Sequence, residues 1–248
     1  MRFPSPFAVL LLMAAMLSGC QREVDEELSN AQLELTIAHQ SAGAPLQLGT
    51  QYTNGLGETF TVNTFKYYLS NLALVNGNNV VTIPDTYFLV DEETDSTKTI
   101  KVQVPAGTYT GLRMLLGVDS TRNVSGAQTG ALDPVQDMFW TWNTGYIMAK
   151  LEGSSPLSTA PNNRIQYHIG GFAGTNSSLR TVTINFPAPV QVERTMQVSL
   201  IAEIMRWFDA VHPLPIAQTA VSMTPGPLAA QYADNYSKMF RLNSVLIP

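Results

Sequence analysis

Three histidines (His39, His168 and His212), a single cysteine (Cys20) and three tryptophans carry most of the chemistry open to this chain of 248 residues. A lone cysteine can form neither an intrachain disulfide nor a thiolate cluster. Any metal must therefore be held by imidazole, carboxylate, thioether or an unusual group. The ten methionines form no tight cluster; Met138 and Met148 are the nearest candidates for soft ligands and serve equally well as core filler. No hydrolase nucleophile motif, glycine-rich phosphate loop or zinc-protease helix occurs. Its basic residues are scattered singly and the formal net charge is −5, which gives a polyanion nothing to hold; nucleic acid is not an expected partner.

The histidines differ in setting. His39 continues the alternation of Leu33, Leu35 and Ile37 and so falls on the buried face at a strand's end. His168 lies opposite Ile165, Tyr167 and Ile169, just before Gly170-Gly171, where the backbone can turn sharply. His212 sits beside Pro213 in a loop. By residue type alone, each is equally explained as a satisfied, packed imidazole. Trp140 and Trp142 belong to the segment Met138-Phe139-Trp140-Thr141-Trp142-Asn143-Thr144-Gly145-Tyr146, and packing would account for them too. That segment is bracketed by two loops rich in Gly, Ser, Asn and Pro, 119–137 and 152–163, whose length marks them as functional or disordered. Asp91, Asp119 and Asp133 would suit calcium if they converged, and solvation explains them as well.

The elements that must position these residues follow a period of two. Leu33, Leu35 and Ile37 alternate with polar residues, as do Ile100, Val102 and Val104, then Val182, Ile184 and Phe186, and finally Met196, Val198 and Leu200. Further strands are expected at 60–68, 71–75, 86–90, 109–118, 144–151, 164–169 and 241–247, separated by turn clusters such as Asn76-Gly77-Asn78-Asn79. This pattern predicts an all-β domain over 32–248, an antiparallel β-sandwich or barrel with long loops. One short C-terminal helix is expected over 228–240, where Leu228, Tyr232, Tyr236, Met239 and Phe240 take helical spacing after Pro225-Gly226-Pro227.

Residues 1–19 have another composition. Arg2 precedes the apolar run Phe7 to Leu17, which is shorter than the roughly 20 residues of a permanent span, and reads as a signal peptide. Leu17-Ser18-Gly19-Cys20 resembles the lipobox of bacterial lipoproteins. The resemblance implies that Cys20 is the site of lipid attachment and the membrane anchor; an ordinary signal peptide cut nearby is the alternative. Loss of Arg2 with the leader makes the chain one unit more negative. Gln21 after the cysteine favours the outer membrane, on its periplasmic face or at the cell surface. Residues 20–31, with the acidic run Glu23 to Glu27, form a tether, which also looks like a surface-export signal.

Tyr67-Tyr68-Leu69-Ser70-Asn71, Gly117-Val118-Asp119-Ser120, Gly130-Ala131-Leu132-Asp133-Pro134, Met138 through Tyr146, Lys150-Leu151-Glu152-Gly153 and His168-Ile169-Gly170-Gly171 occur in an order that resembles the MbnP-like family. The resemblance spans about residues 33–247, and the W-x-W-x-x-G-Y core and the histidine followed by glycine are its most specific parts. It implies a cell-envelope copper-binding protein, a scavenger or carrier rather than an enzyme, in which histidines and a tryptophan oxidised to kynurenine hold the ion. A di-haem partner that oxidises the tryptophan is implied with it. By position His168 matches the family histidine and Trp140 or Trp142 the tryptophan; His39 is the expected second imidazole by strand position only. Phe172-Ala173-Gly174 stands where some members carry a cysteine. The reading from another class is a non-metal structural or interaction sandwich that presents loops 119–137 and 152–163 to a protein or glycan. Convergence of His39, His168 and a tryptophan is the feature that separates the two.

Overall fold

The computed structural model describes residues 30–126, 128–140 and 145–248. The leader, Cys20 and Trp142 lie outside the described residues. The first strand, Asn30–Ser41, buries Leu33, Leu35 and Ile37 and leaves Glu34 and Thr36 half-exposed, as a strand with one face on a core must. It already includes residues 30 and 31, which the sequence reading placed in the tether and which pair with Pro105 and Val104.

Asn30–Ser41 is the middle of a five-stranded sheet. Thr99–Pro105 and Ala44–Pro45 pair with one edge of it, Thr195–Glu203 lies on the other, and Phe240–Leu246 closes the far side. The second sheet runs Arg180–Val192, Gly107–Leu116, Thr59–Asn76, Gly145–Ser154, Arg164–Gly170, Val221–Ser222, with shorter strands attached along its length. The fold is all-β and sandwich-like, as expected, but not purely antiparallel. Asn30–Ser41 pairs in parallel with Thr195–Glu203, and Arg164–Gly170 with Val221–Ser222. A parallel pair needs a long crossover, and the whole intervening chain supplies the first of them.

The main core lies between the sheets, where Leu33 and Leu35 share a cluster with Phe65, Tyr67, Leu151 and Tyr167. A second, smaller cluster forms on the outer face of the large sheet from Tyr68, Tyr146 and Met148 together with Leu132, Met138 and Trp140 of the loop that covers them. The described residues of 119–137 therefore form a cover, with short helical turns at Ser120–Asn123, Gly130–Leu132 and Pro134–Gln136. In the 152–163 stretch, the strand runs on to Ser154 and a 3-10 turn follows at Pro161–Asn163.

The C-terminal helix is Pro227–Tyr236, and Phe240 already begins a strand. Its Tyr232 and Tyr236, four apart, stack on Trp207 with ring centroids at 6.2 and 5.0 Å, and Tyr232 meets Tyr167 at 4.5 Å. Fully burying such a side chain contributes about 1.5–3 kcal/mol, enough to hold a ten-residue helix that could not stand alone. Two further short helices, Arg206–Asp209 and Ile216–Thr219, were not expected from the spacing.

Candidate metal centre

Cross-strand register separates the two leading histidines. Tyr67 of Thr59–Asn76 aligns with Ala149, which aligns with Ile169; all three lie on the core face. One residue away, Lys66, Lys150 and His168 align across the same three strands and therefore point to the other face. His39 comes from the opposite sheet and packs on the inner face, with ring centroids 4.9 Å from Phe65 and 5.5 Å from Tyr67. The large sheet stands between His39 and His168, so the expected convergence fails, which counts against a two-imidazole site and toward the interaction module; His168 and Trp140 are the expected residues that come together.

Both nitrogens of His39 are occupied. Nδ1 lies 2.6 Å from Glu92 Oε2 and Nε2 lies 2.8 Å from the Tyr67 hydroxyl. Burial pushes the Tyr67 hydroxyl well above its ordinary range, as does the charge of Glu92, so the phenol keeps its proton and donates. The imidazole then accepts at Nε2 and donates from Nδ1 to Glu92, which also holds Lys98 at 3.1 Å. No lone pair remains for a metal. His39 belongs to a closed polar network in the sandwich interior, which removes the sequence argument for it as a ligand.

His168 is arranged differently. Its Nε2 lies 2.5 Å from Glu152 Oε1, and Nδ1 has no partner among the described residues. With the Nε2 proton directed at the carboxylate, Nδ1 carries the lone pair. A carboxylate that fixes the tautomer from behind is the usual outer-shell arrangement of a metal-ligating histidine. Trp140 is brought to the same place. Gly170, two residues beyond His168 on the same face and roughly 7 Å along the strand, has no side chain, and a Cβ there would collide with Cζ3 and Cη2 of the indole. Trp140 thus lies over Gly170, beside His168. His212 is elsewhere: its ring meets Asp234 at 2.9 Å, and its backbone is held by Asn235 of the C-terminal helix.

Other expected ligands are used within the fold. Met138 is buried in the outer cluster, and Met148 Sδ accepts the Val118 amide at 3.2 Å. Asp91 pairs with Lys66 at 3.0 Å; Asp119 accepts from the Tyr87 hydroxyl at 2.5 Å and the Arg122 amide at 3.1 Å; Asp133 accepts the Val135 amide at 3.0 Å. The calcium alternative has no support in this arrangement. Among the described residues no three His, Cys, Asp or Glu side chains group to hold an ion. Of the expected ligands among the described residues, Trp140 is the one brought beside His168. Sequence reasoning passed over Glu152, although it stands in the Lys150-Leu151-Glu152-Gly153 motif and one strand away from His168.

The carboxylates facing the histidines predict an acid dependence. The hydrogen bond from His168 holds Glu152 below its ordinary range. At Glu92 burial pushes upward, but His39 and Lys98 outweigh it and the net shift is down. A carboxylate depressed in the folded state contributes stability above its unfolded pKa of about 4.3, and that stability is lost as pH falls through the lower folded values. Thermal midpoints should stay level from neutral pH down to that range and then drop, with a shallower drop in Glu152→Gln. A midpoint that rises on acidification would contradict this assignment.

A family model described as MbnP matches residues 30–225. A solved structure, MbnP from Methylosinus trichosporium, superposes with a TM-score of 0.53 at 14% identity, covering 87% of this chain and 98% of that one; at this identity the likeness is one of fold. Among curated proteins none matches this chain. The family match spans most of the chain, from the first core strand past the histidine-glycine motif, and on that ground the chain belongs to the MbnP family.

Proposed function

We propose that this protein is a lipid-anchored cell-envelope copper-binding protein, a scavenger or carrier and not an enzyme, with its ion on the outer face of the large sheet. The observation that carries the reading is the Glu152-backed imidazole of His168 with its Nδ1 lone pair available and Trp140 alongside. His168 would supply the strongest bond, Glu152 would orient it, and the tryptophan segment would complete the set. Neutral imidazole suits copper in both oxidation states. An unmodified indole nitrogen is only a donor, so oxidation of Trp140 or Trp142 to kynurenine by a di-haem partner, which the family resemblance implies, would add the aromatic amine that the site otherwise lacks. His39 is a structural residue on this reading.

Metal analysis of protein purified from its own envelope, with intact mass for the tryptophan modification, tests the proposal. Copper near one per chain supports it. Copper-free protein that takes up none from solution contradicts it and leaves the interaction module standing, which the exposed loop residues Val124 and Val135 favour, at 72% and 79% exposure. The anchor has its own test. Cys20→Ala should release the protein or trap its precursor; a mutant still processed and membrane-bound would remove the lipoprotein assignment.

A further inference from the structure

Lys150 is exposed to only 1% and plays no part in the site as drawn so far. It stands in the cross-strand row between Lys66 and His168. Lys66 is matched by Asp91. The Lys150 ammonium reaches instead into the covering loop, where it donates to the backbone carbonyl of Asp137 and, at 2.7 Å, to its carboxylate. A methionine would fill the same space without burying a charge, so packing does not account for a lysine here. What the ammonium holds does. Asp137 sits at φ +58, at the end of the Pro134–Gln136 turn and three residues before Trp140. Beyond it Met138–Trp140 packs in the outer cluster and is paired through Phe139 with Tyr146, Trp140 with Gly145, and the Ile147 amide on the Met138 carbonyl at 2.9 Å. A charge-assisted bond to a buried ammonium adds a strong polar tie at the start of that stretch, because breaking it leaves the cation desolvated and poorly paired.

We infer that Lys150 is a positioning residue for the metal centre: by latching Asp137 it sets the register of Met138–Trp140 and keeps the Trp140 indole over Gly170 beside His168. Its functional consequence rests on the copper reading; the latch itself does not.

The test is Lys150→Met in the full chain, with 5-fluorotryptophan incorporated and the Trp140 fluorine resonance identified by its loss in Trp140→Phe. Lys150→Met should fold with a thermal midpoint close to that of wild type, since an apolar chain of similar length replaces a buried charge. The Trp140 resonance should nevertheless move toward that of the free amino acid and gain solvent sensitivity. Competition titration should show Cu(I) affinity lowered about tenfold, the lower end of an outer-shell loss. Asp137→Asn, which leaves the strand interior intact, should shift the same resonance in the same direction and covers the case in which Lys150→Met does not fold. An unmoved Trp140 resonance in the folded variants overturns the inference. Displacement of Trp140 with copper affinity unchanged in both Lys150→Met and His168→Ala upholds the latch and overturns the copper reading.

Discussion

His168→Ala is expected to weaken copper binding by more than about 100-fold, because removing an outer-shell partner already costs 10- to 100-fold and removing the ligand itself costs more. Glu152→Gln belongs to the lesser class: it keeps a group of the same shape beside Nε2 but loses the charge that fixes the tautomer, and a fall of 10- to 100-fold is expected. Some loss of stability is expected in both, since the imidazole is buried and its bond to Glu152 is removed or weakened, so affinity is to be read below each variant's own thermal midpoint. Competition titration against a chelator of known affinity separates the two classes. Wild-type affinity in His168→Ala would place the ion elsewhere.

His39→Ala should give the converse result, an unstable protein that still binds copper. The substitution removes a buried ring and orphans the Tyr67 hydroxyl, which lies in the core with no other partner among the described residues to accept its proton. An unsatisfied buried hydroxyl costs about 1–3 kcal/mol, and the vacated space adds a cavity term. Glu92 loses less, because Lys98 remains at 3.1 Å. A total near 3 kcal/mol would lower the thermal midpoint by roughly 6–12 °C in a domain of this size. Calorimetry gives the midpoint, and titration below it gives the affinity. A stable His39→Ala protein that has lost copper would reverse the assignment of the two histidines.

Much of this architecture can be read from the sequence, because a strand half-buried against a core writes its faces directly into residue order. The alternations at 33–37, 100–104, 182–186 and 196–200 all fall within strands. The helix after Pro225-Gly226-Pro227 is equally direct, since Pro227 opens it and two tyrosines four apart face the core. Strand direction is not written in this way: periodicity is the same for parallel and antiparallel neighbours, so the parallel pairing of Asn30–Ser41 with Thr195–Glu203 could not be seen. The same blindness joined His39 to His168. Alternation places each imidazole on a face of its own strand, and only the assignment of those strands to different sheets shows that a layer lies between them.

The supporting residues of the site left fainter marks. Lys150 interrupts the apolar run Tyr146-Ile147-Met148-Ala149 before Leu151, and a lysine in a strand otherwise buried on both faces signals a partner brought from outside the strand. Glu152 is two residues further along the same strand, and its meaning depends on pairing with Gln166 next to His168. Asp137 carried no signal of its own; its role depends on the turn that aims its carbonyl and carboxylate at the ammonium.

In the proposed site one imidazole, that of His168, binds the ion while His39 stays in the interior. X-ray absorption on the Cu(I)-loaded full chain counts the imidazoles directly through their multiple-scattering signature. A single histidine is expected in the coordination shell, its contribution vanishing in His168→Ala and persisting in His39→Ala. A shell fitted by two histidines, with one of them lost in His39→Ala, would contradict it.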